Sequence, residues 1–193
     1  MFNIPIRRAL VLAAAATIGF SCVSAAGAAA EDPEETGTAE GPGLTTYSYV
    51  QLQNNRSGKC LQVDNRSKNP GAWVVQRTCS LGQGRQWQEW RVIHLNNGYV
   101  LLQARHSDDQ CLEVNQAGAT QGTGNNARLL QWDCHRGAQQ QWDKEELKAG
   151  FLKNRRSGRC VEPDQRVAKG RAEGGPVLQW TCHRGAQQQW KQR

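Results

Sequence analysis

A twelve-residue phrase occurs twice in this chain with a single change. Residues 131–142 read QWDCHRGAQQQW, and residues 179–190, 48 positions later, read QWTCHRGAQQQW, with Thr181 in place of Asp133. The stretch that opens the same unit is found three times, as RSGKCLQVD (56–64), HSDDQCLEVN (106–115) and RSGRCVEPD (156–164). The opening cysteines, Cys60, Cys111 and Cys160, are 51 and 49 residues apart. Each is followed 19 to 23 residues later by a second cysteine, Cys79, Cys134 or Cys182. Three copies of a unit too small to bury a core alone must share one, which restricts the fold to a repeat architecture.

The flanks decide the register of the first copy. Counting eight residues on from Cys79, as in the other copies, leads to Trp87. Counting back from Gly98-Tyr99, as Trp142 stands to Gly150-Phe151, leads instead to Trp90. We take Trp90 as the equivalent of Trp142 and Trp190, with three residues inserted around residues 82–84, because surface loops absorb insertions more readily than strands. Trp73 has no counterpart in the other copies.

Strand signals are short. Residues 49–53, 100–104 and 151–154 are β-prone, and Gly, Asn and Ser clusters interrupt the chain every 8 to 14 residues. No window sustains helical periodicity. The spacing predicts an all-β fold of about four strands per copy, about twelve in all, whose sheet edges are removed by closure into a barrel. Trp90, Trp142 and Trp190 are expected in its core.

The N-terminus reads differently. Arg7 and Arg8, the apolar run 9–20 and the small residues ending in Ala28-Ala29-Ala30 have the form of an export signal over residues 1–30. The run is short of the roughly 20 apolar residues a membrane-spanning helix needs. Cys22 leaves with this segment (Gly19-Phe20-Ser21 before it matches a lipid-attachment box poorly), and the six cysteines left form an even set suited to a disulfide framework in an oxidising compartment. Residues 31–46, with Glu31, Asp32, Glu34, Glu35 and Glu40 among Pro, Gly and Thr, read as a disordered acidic leader. The domain is then residues 47–193. Of the chain's 24 Lys and Arg, two lie before it, and of its 17 Asp and Glu, five do, so the domain holds 22 basic against 12 acidic residues, a net +10. Such a charge favours anionic surfaces, an acidic cell-wall polymer among them.

The tripled combination of G-K-C-L-x-V, a second Cys preceded by Q-W-x and a closing Q-x-W resembles the ricin B-type lectin domain over residues 47–193. The resemblance implies a β-trefoil with disulfides Cys60–Cys79, Cys111–Cys134 and Cys160–Cys182, and up to three shallow sugar pockets. In that family a pocket draws on an acid two residues after the first Cys, an aromatic two before the second and a Gln four before it. An Asn-Gln pair ahead of the closing Trp completes the set. A carboxylate accepts from sugar hydroxyls, amides donate and accept, and an aromatic face packs on a pyranose ring.

Carried over, the second copy supplies Glu113, Trp132, Gln139 and Gln140, and the third supplies Glu162, Trp180, Gln187 and Gln188. Both depart from the pattern: Glu replaces Asp, Leu130 and Leu178 replace the Gln, and Gln139 and Gln187 replace the Asn. The first copy has Gln62 for the acid and Arg77 for the aromatic, and is expected to have lost its pocket.

Catalysis is not expected. His135 and His183 were duplicated with the unit, His94 and His106 stand alone, and no C-x-x-C, phosphate loop, G-x-S-x-G or H-E-x-x-H occurs. No metal, cofactor or nucleic acid is implied. The reading is a secreted, extracellular, monomeric lectin binding glycans or polysaccharides through copies two and three. Its competitors are a trefoil whose decayed sugar sites leave a protein-interaction surface, and a basic domain adhering to anionic wall polymer.

Overall fold

The computed structural model describes residues 48–193, apart from 108, 167 and 169–171; the export signal and the acidic leader expected before the domain lie outside the described residues. The first copy contributes β1 (Tyr49–Asn54), β2 (Cys60–Val63), β3 (Val74–Arg77) and β4 (Glu89–His94). The second contributes β5 (Tyr99–Ala104), β6 (Gln110–Val114), β7 (Leu129–Asp133) and β8 (Trp142–Asp143). The third contributes β9 (Cys160–Pro163), β10 (Gly175–Trp180) and β11 (Trp190–Gln192). The twelfth position, residues 151–154, is held by isolated bridges instead of a continuous strand: Phe151 to Gln189, Lys153 to Cys160 and Asn154 to Trp142.

The first and last strands of the copies close on themselves. β1 pairs with β4, β4 with β5 and β5 with β8. Asn154 bridges Trp142, Phe151 bridges Gln189, and β11 returns to β1. The second and third strands of each copy form a hairpin, β2–β3, β6–β7 and β9–β10. These hairpins meet cyclically, through Trp73–Leu130, Arg128–Leu178 and Pro176–Val75, to cap one end of the barrel. This is the β-trefoil, and it accounts for Trp73. Trp73, Arg128 and Pro176 are equivalent positions at the junction of the hairpins, and the Arg128 guanidinium lies 4.2 Å from the Trp73 ring centre.

The core repeats as the sequence does. Leu52, Leu102 and Leu152 are fully buried at one level, and Trp90, Trp142 and Trp190 at another, each exposed by 1% or less. Each of these tryptophans donates its indole N–H to the backbone carbonyl of the residue after its own copy's first cysteine, Leu61 (3.3 Å), Leu112 (3.3 Å) or Val161 (2.9 Å). The pattern confirms Trp90 over Trp87. The insertion appears as a six-residue 3-10 turn, Gly82–Trp87, where the other copies have three-residue turns, Ala138–Gln140 and Ala186–Gln188. Trp87 is left half-buried against the ring of His106, 4.9 Å away.

The disulfides are Cys60–Cys79, Cys111–Cys134 and Cys160–Cys182. Closing loops of this length stabilises the fold by about 3 kcal/mol each in the chain-entropy model. One helical element has no periodicity to announce it: Lys144–Lys148 forms a single α-helical turn. The Asp143 carboxylate caps it, accepting from the N–H groups of Glu145 and Glu146, a local signal too short to register as periodicity.

Trp142→Ala should therefore lower unfolding stability by about 3–5 kcal/mol, a large-to-small change in a packed core. Trp132→Ala, whose ring is 43% exposed, should cost under about 1 kcal/mol. Urea denaturation with the disulfides intact measures both.

Candidate functional site

The sequence Cys-His-Arg-Gly-Ala-Gln-Gln folds into a turn that carries the chemistry. After Cys134 the chain turns through Arg136, whose φ of 59° lies in the left-handed region, as Arg184 does at 58°. The turn is held from inside by Gln140, whose Oε1 accepts from the N–H groups of His135 (3.0 Å) and Arg136 (3.2 Å). Its Nε2 donates to the Asp133 carbonyl and to Glu113 Oε2, both at 2.8 Å. Gln188 repeats the arrangement, accepting from His183 and Arg184 and donating to Thr181 and Glu162. Both glutamines are fully buried, so they orient the carboxylates from below rather than face the cleft.

The two duplicated histidines, not expected to serve as a catalytic base, touch the same carboxylates. His135 Nε2 lies 3.1 Å from Glu113 Oε2, and His183 Nε2 3.1 Å from Glu162 Oε2. Their Nδ1 atoms accept from the N–H groups of Gly137 (3.0 Å) and Gly185 (3.1 Å). A neutral imidazole that accepts at Nδ1 carries its proton on Nε2, so this network assigns each ring as a donor to its Glu. Glycine is required for contact, not for φ. A Cβ on Gly137 would stand 2.6 Å from His135 Cε1 and 2.8 Å from Gln139 Oε1, and one on Gly185 2.7 Å from Gln187 Oε1.

Each Glu thus has Oε2 doubly hydrogen-bonded and Oε1 without a partner among the described residues. In the third copy that carboxylate lines a cleft of about 200 Å³ together with Asp164, Gln165, Arg166, Leu178, Trp180 and Gln187. Arg166 grips Asp164 through both oxygens, and these hydrogen bonds hold the Asp164 carboxyl below the usual range. Leu178 is buried in the floor, paired across β9–β10 with Glu162, as Leu130 pairs with Glu113. In the second copy the exposed face belongs to Trp132, whose Cζ3 would lie 3.3 Å from a Cβ on Gly71, a residue of the first copy's loop. Trp180 is half-buried. The arrangement offers one oriented acceptor oxygen beside an indole and an amide, twice over.

The first copy keeps a concavity of about 330 Å³ at the corresponding place, but Gln62, Asn65, Arg66 and Arg77 line it, so the acid and the aromatic are gone. A larger hollow, about 600 Å³, lies at the inserted turn. There Glu89 pairs with both Arg85 and Arg105, so its buried charge is already matched.

Gly137→Ala should expel His135 from its seat, at a cost of about 1–3 kcal/mol for overpacking. Nitrogen NMR of the imidazoles checks this: both rings should show the Nε2–H tautomer in the native domain, and only His135 should lose it in the variant. An unchanged His135 signal would contradict the assigned network.

The model of the family described as the ricin-type beta-trefoil lectin domain matches residues 48–190. No curated protein matches the sequence. Among solved structures, the designed three-fold symmetric protein ThreeFoil is 33% identical with a TM-score of 0.62, over 75% of this chain and 96% of that one. The exo-β-1,3-galactanase 1,3Gal43A from Clostridium thermocellum is 25% identical with a TM-score of 0.63, over 76% of this chain but only 30% of the enzyme. The C-half of the earthworm R-type lectin, solved in complex with GalNAc, shares the fold at 11% identity and a TM-score of 0.57, over 75% of this chain and 97% of that one. With the family's pattern matched across nearly all of the described residues and its fold present strand for strand, the chain belongs to the ricin-type β-trefoil lectin domain family.

Proposed function

We propose that the domain is a glycan-binding lectin working through its second and third copies, with no catalytic role. The observation that carries this is the pair of partner-free oxygens, Oε1 of Glu113 and of Glu162, each held in place by a buried Gln and a His beside an accessible Trp. A sugar hydroxyl donates to that oxygen, the pyranose C–H face packs on Trp132 or Trp180, and Gln139 or Gln187 adds an amide at the rim. Gln140 and Gln188 act through the carboxylates they orient. The ligand class is supported by two similar proteins: the earthworm lectin, solved in complex with GalNAc, and the Clostridium enzyme, an exo-β-1,3-galactanase.

The His–Glu contacts do not make a hydrolase. Each Glu belongs to its own copy, on separate hairpins of the cap, whereas glycosidase carboxylates must flank one bond within roughly 5–10 Å. Each site alone is shallow and weak, so useful retention comes from engaging two sites on one polymer. We also propose export: residues 1–30 act as the signal, residues 31–46 as an acidic leader, and the three disulfides suit an oxidising exterior. Among the described residues no helix is long and apolar enough to cross a membrane.

Calorimetry with galactose- and xylose-containing oligosaccharides tests the reading. Glu113→Gln should weaken the second site by about 10- to 100-fold, the loss of a charge-assisted hydrogen bond. On an immobilised polysaccharide, Trp132→Ala and Trp180→Ala should each reduce retention, and the double variant should abolish it. A broad neutral panel that produces no heat with the native domain would overturn the proposal. It would favour instead a protein ligand seated on the apolar floor at Leu130 and Leu178.

A further inference from the structure

We propose that the cleft of the first copy is a binding site of opposite chemistry, taking an anionic sugar unit that bears a carboxylate, sulfate or phosphate. The site does not depend on sugar binding by copies two and three.

The substitutions that remove the neutral-sugar pattern are concerted. Gln62 stands for Glu113 and Glu162, Arg77 for Trp132 and Trp180, and Ser80 for His135 and His183. A hydrogen-bond relay then fixes which way the Gln62 amide faces. The Ser80 N–H donates to Gln88 Oε1 (2.8 Å), as the Gln51 side chain does from the other side (3.1 Å). That makes Gln88 Nε2 the donor, to the Thr78 carbonyl and to Gln62 Oε1, both at 2.9 Å. The oxygen of Gln62 is therefore occupied, and its NH₂ group has no partner among the described residues. Where copies two and three present an acceptor, the first copy presents a donor.

The rest of the cleft agrees. Arg77 gives one Nη2 hydrogen bond to Asp64 at 3.0 Å and is only about one-third exposed, which leaves the remainder of its guanidinium fork for a ligand. It is positioned from behind by the loop at Gly174, where a Cβ would stand 3.3 Å from Nη2. Arg66 and the Asn65 side chain complete the lining. Arginine has no acceptor, and a carboxylate, sulfate or phosphate has no donor, so the two sets are complementary in the bidentate geometry guanidinium favours. The signs separate the sites as well. The first cleft sets Arg66 and Arg77 against Asp64, a net +1, while the third sets Arg166 against Asp164 and Glu162, a net −1. Without an aromatic face, a neutral pyranose has nothing to stack on there.

The test uses the exported domain, a galacturonic acid trisaccharide, galactose 6-sulfate and a neutral galactose disaccharide. Calorimetry is paired with NMR of the Gln62 side-chain amide and the Arg77 Nε–H. At least one anionic probe should bind and shift both signals, and the neutral disaccharide should shift neither. Gln62→Glu is nearly isosteric and keeps the bond from Gln88, yet it should weaken the anionic probe by about 10- to 100-fold. Lys191→Gln, an equal charge change at an exposed site on β11, should alter binding by no more than about twofold. The Trp132→Ala, Trp180→Ala double variant should retain the anionic probe, which keeps this result separate from the fate of the neutral sites. Failure of both anionic probes to move these signals, or equal losses in Gln62→Glu and Lys191→Gln, would overturn the proposal.

Discussion

The structure depends on one contact made three times: the indole N–H of a closing tryptophan bonded to the backbone carbonyl just past the first cysteine of the same copy. Trp90, Trp142 and Trp190 each reach back about 30 residues to make it. Each indole is buried, so an unmatched N–H would carry a desolvation cost of about 1–3 kcal/mol. The tryptophans also link neighbours. Trp90 sits in register with Val50 of its own copy and Ala104 of the next, and Trp142 with Val100 and Asn154. One residue type thus closes each copy and joins it to its successor, and the barrel follows from doing so three times.

Because that closure lies in the core, the rim is free to diverge. Two residues before each closing Trp stands the glutamine that organises the cleft, Gln88, Gln140 or Gln188, always buried and always bonded to the residue two after the first cysteine. The same scaffold residue therefore presents a carboxylate in the second and third copies and an amide in the first. Three substitutions, Glu to Gln, Trp to Arg and His to Ser, set a donor beside a cation where the other copies have an acceptor beside a ring, in hairpins of the same register. The duplication preserved the support and let the surface chemistry vary.

Much of this was legible in the chain itself. Three copies in register, with paired cysteines, implied the trefoil and its disulfides through a family pattern, and the Gly98-Tyr99 flank located the inserted turn before Trp90. The helix at Lys144–Lys148 escaped because a single turn capped by Asp143 leaves no periodicity. Trp73 stayed unexplained because its role exists only at the junction of three hairpins distant in sequence. The contact that the histidines make stayed hidden for a different reason. Their repetition argued against a tuned catalytic base, yet it carried another signal: His follows the second cysteine only in the copies that have Glu, and Ser80 accompanies Gln62. That pairing reflects a physical contact, Nε2 to carboxylate, which single positions read in isolation do not show.

The central claim is that one barrel carries clefts of two chemistries, with the partner-free Glu oxygens marking the neutral pair. A crystal structure of the domain grown with a neutral galactose oligosaccharide tests it most directly. A pyranose is expected on Trp132 and another on Trp180, with a hydroxyl on Oε1 of Glu113 and of Glu162, both imidazoles unmoved, and no sugar against Arg77. A sugar seated in the first copy's cleft, or one that leaves both Oε1 atoms without a hydroxyl, would contradict it.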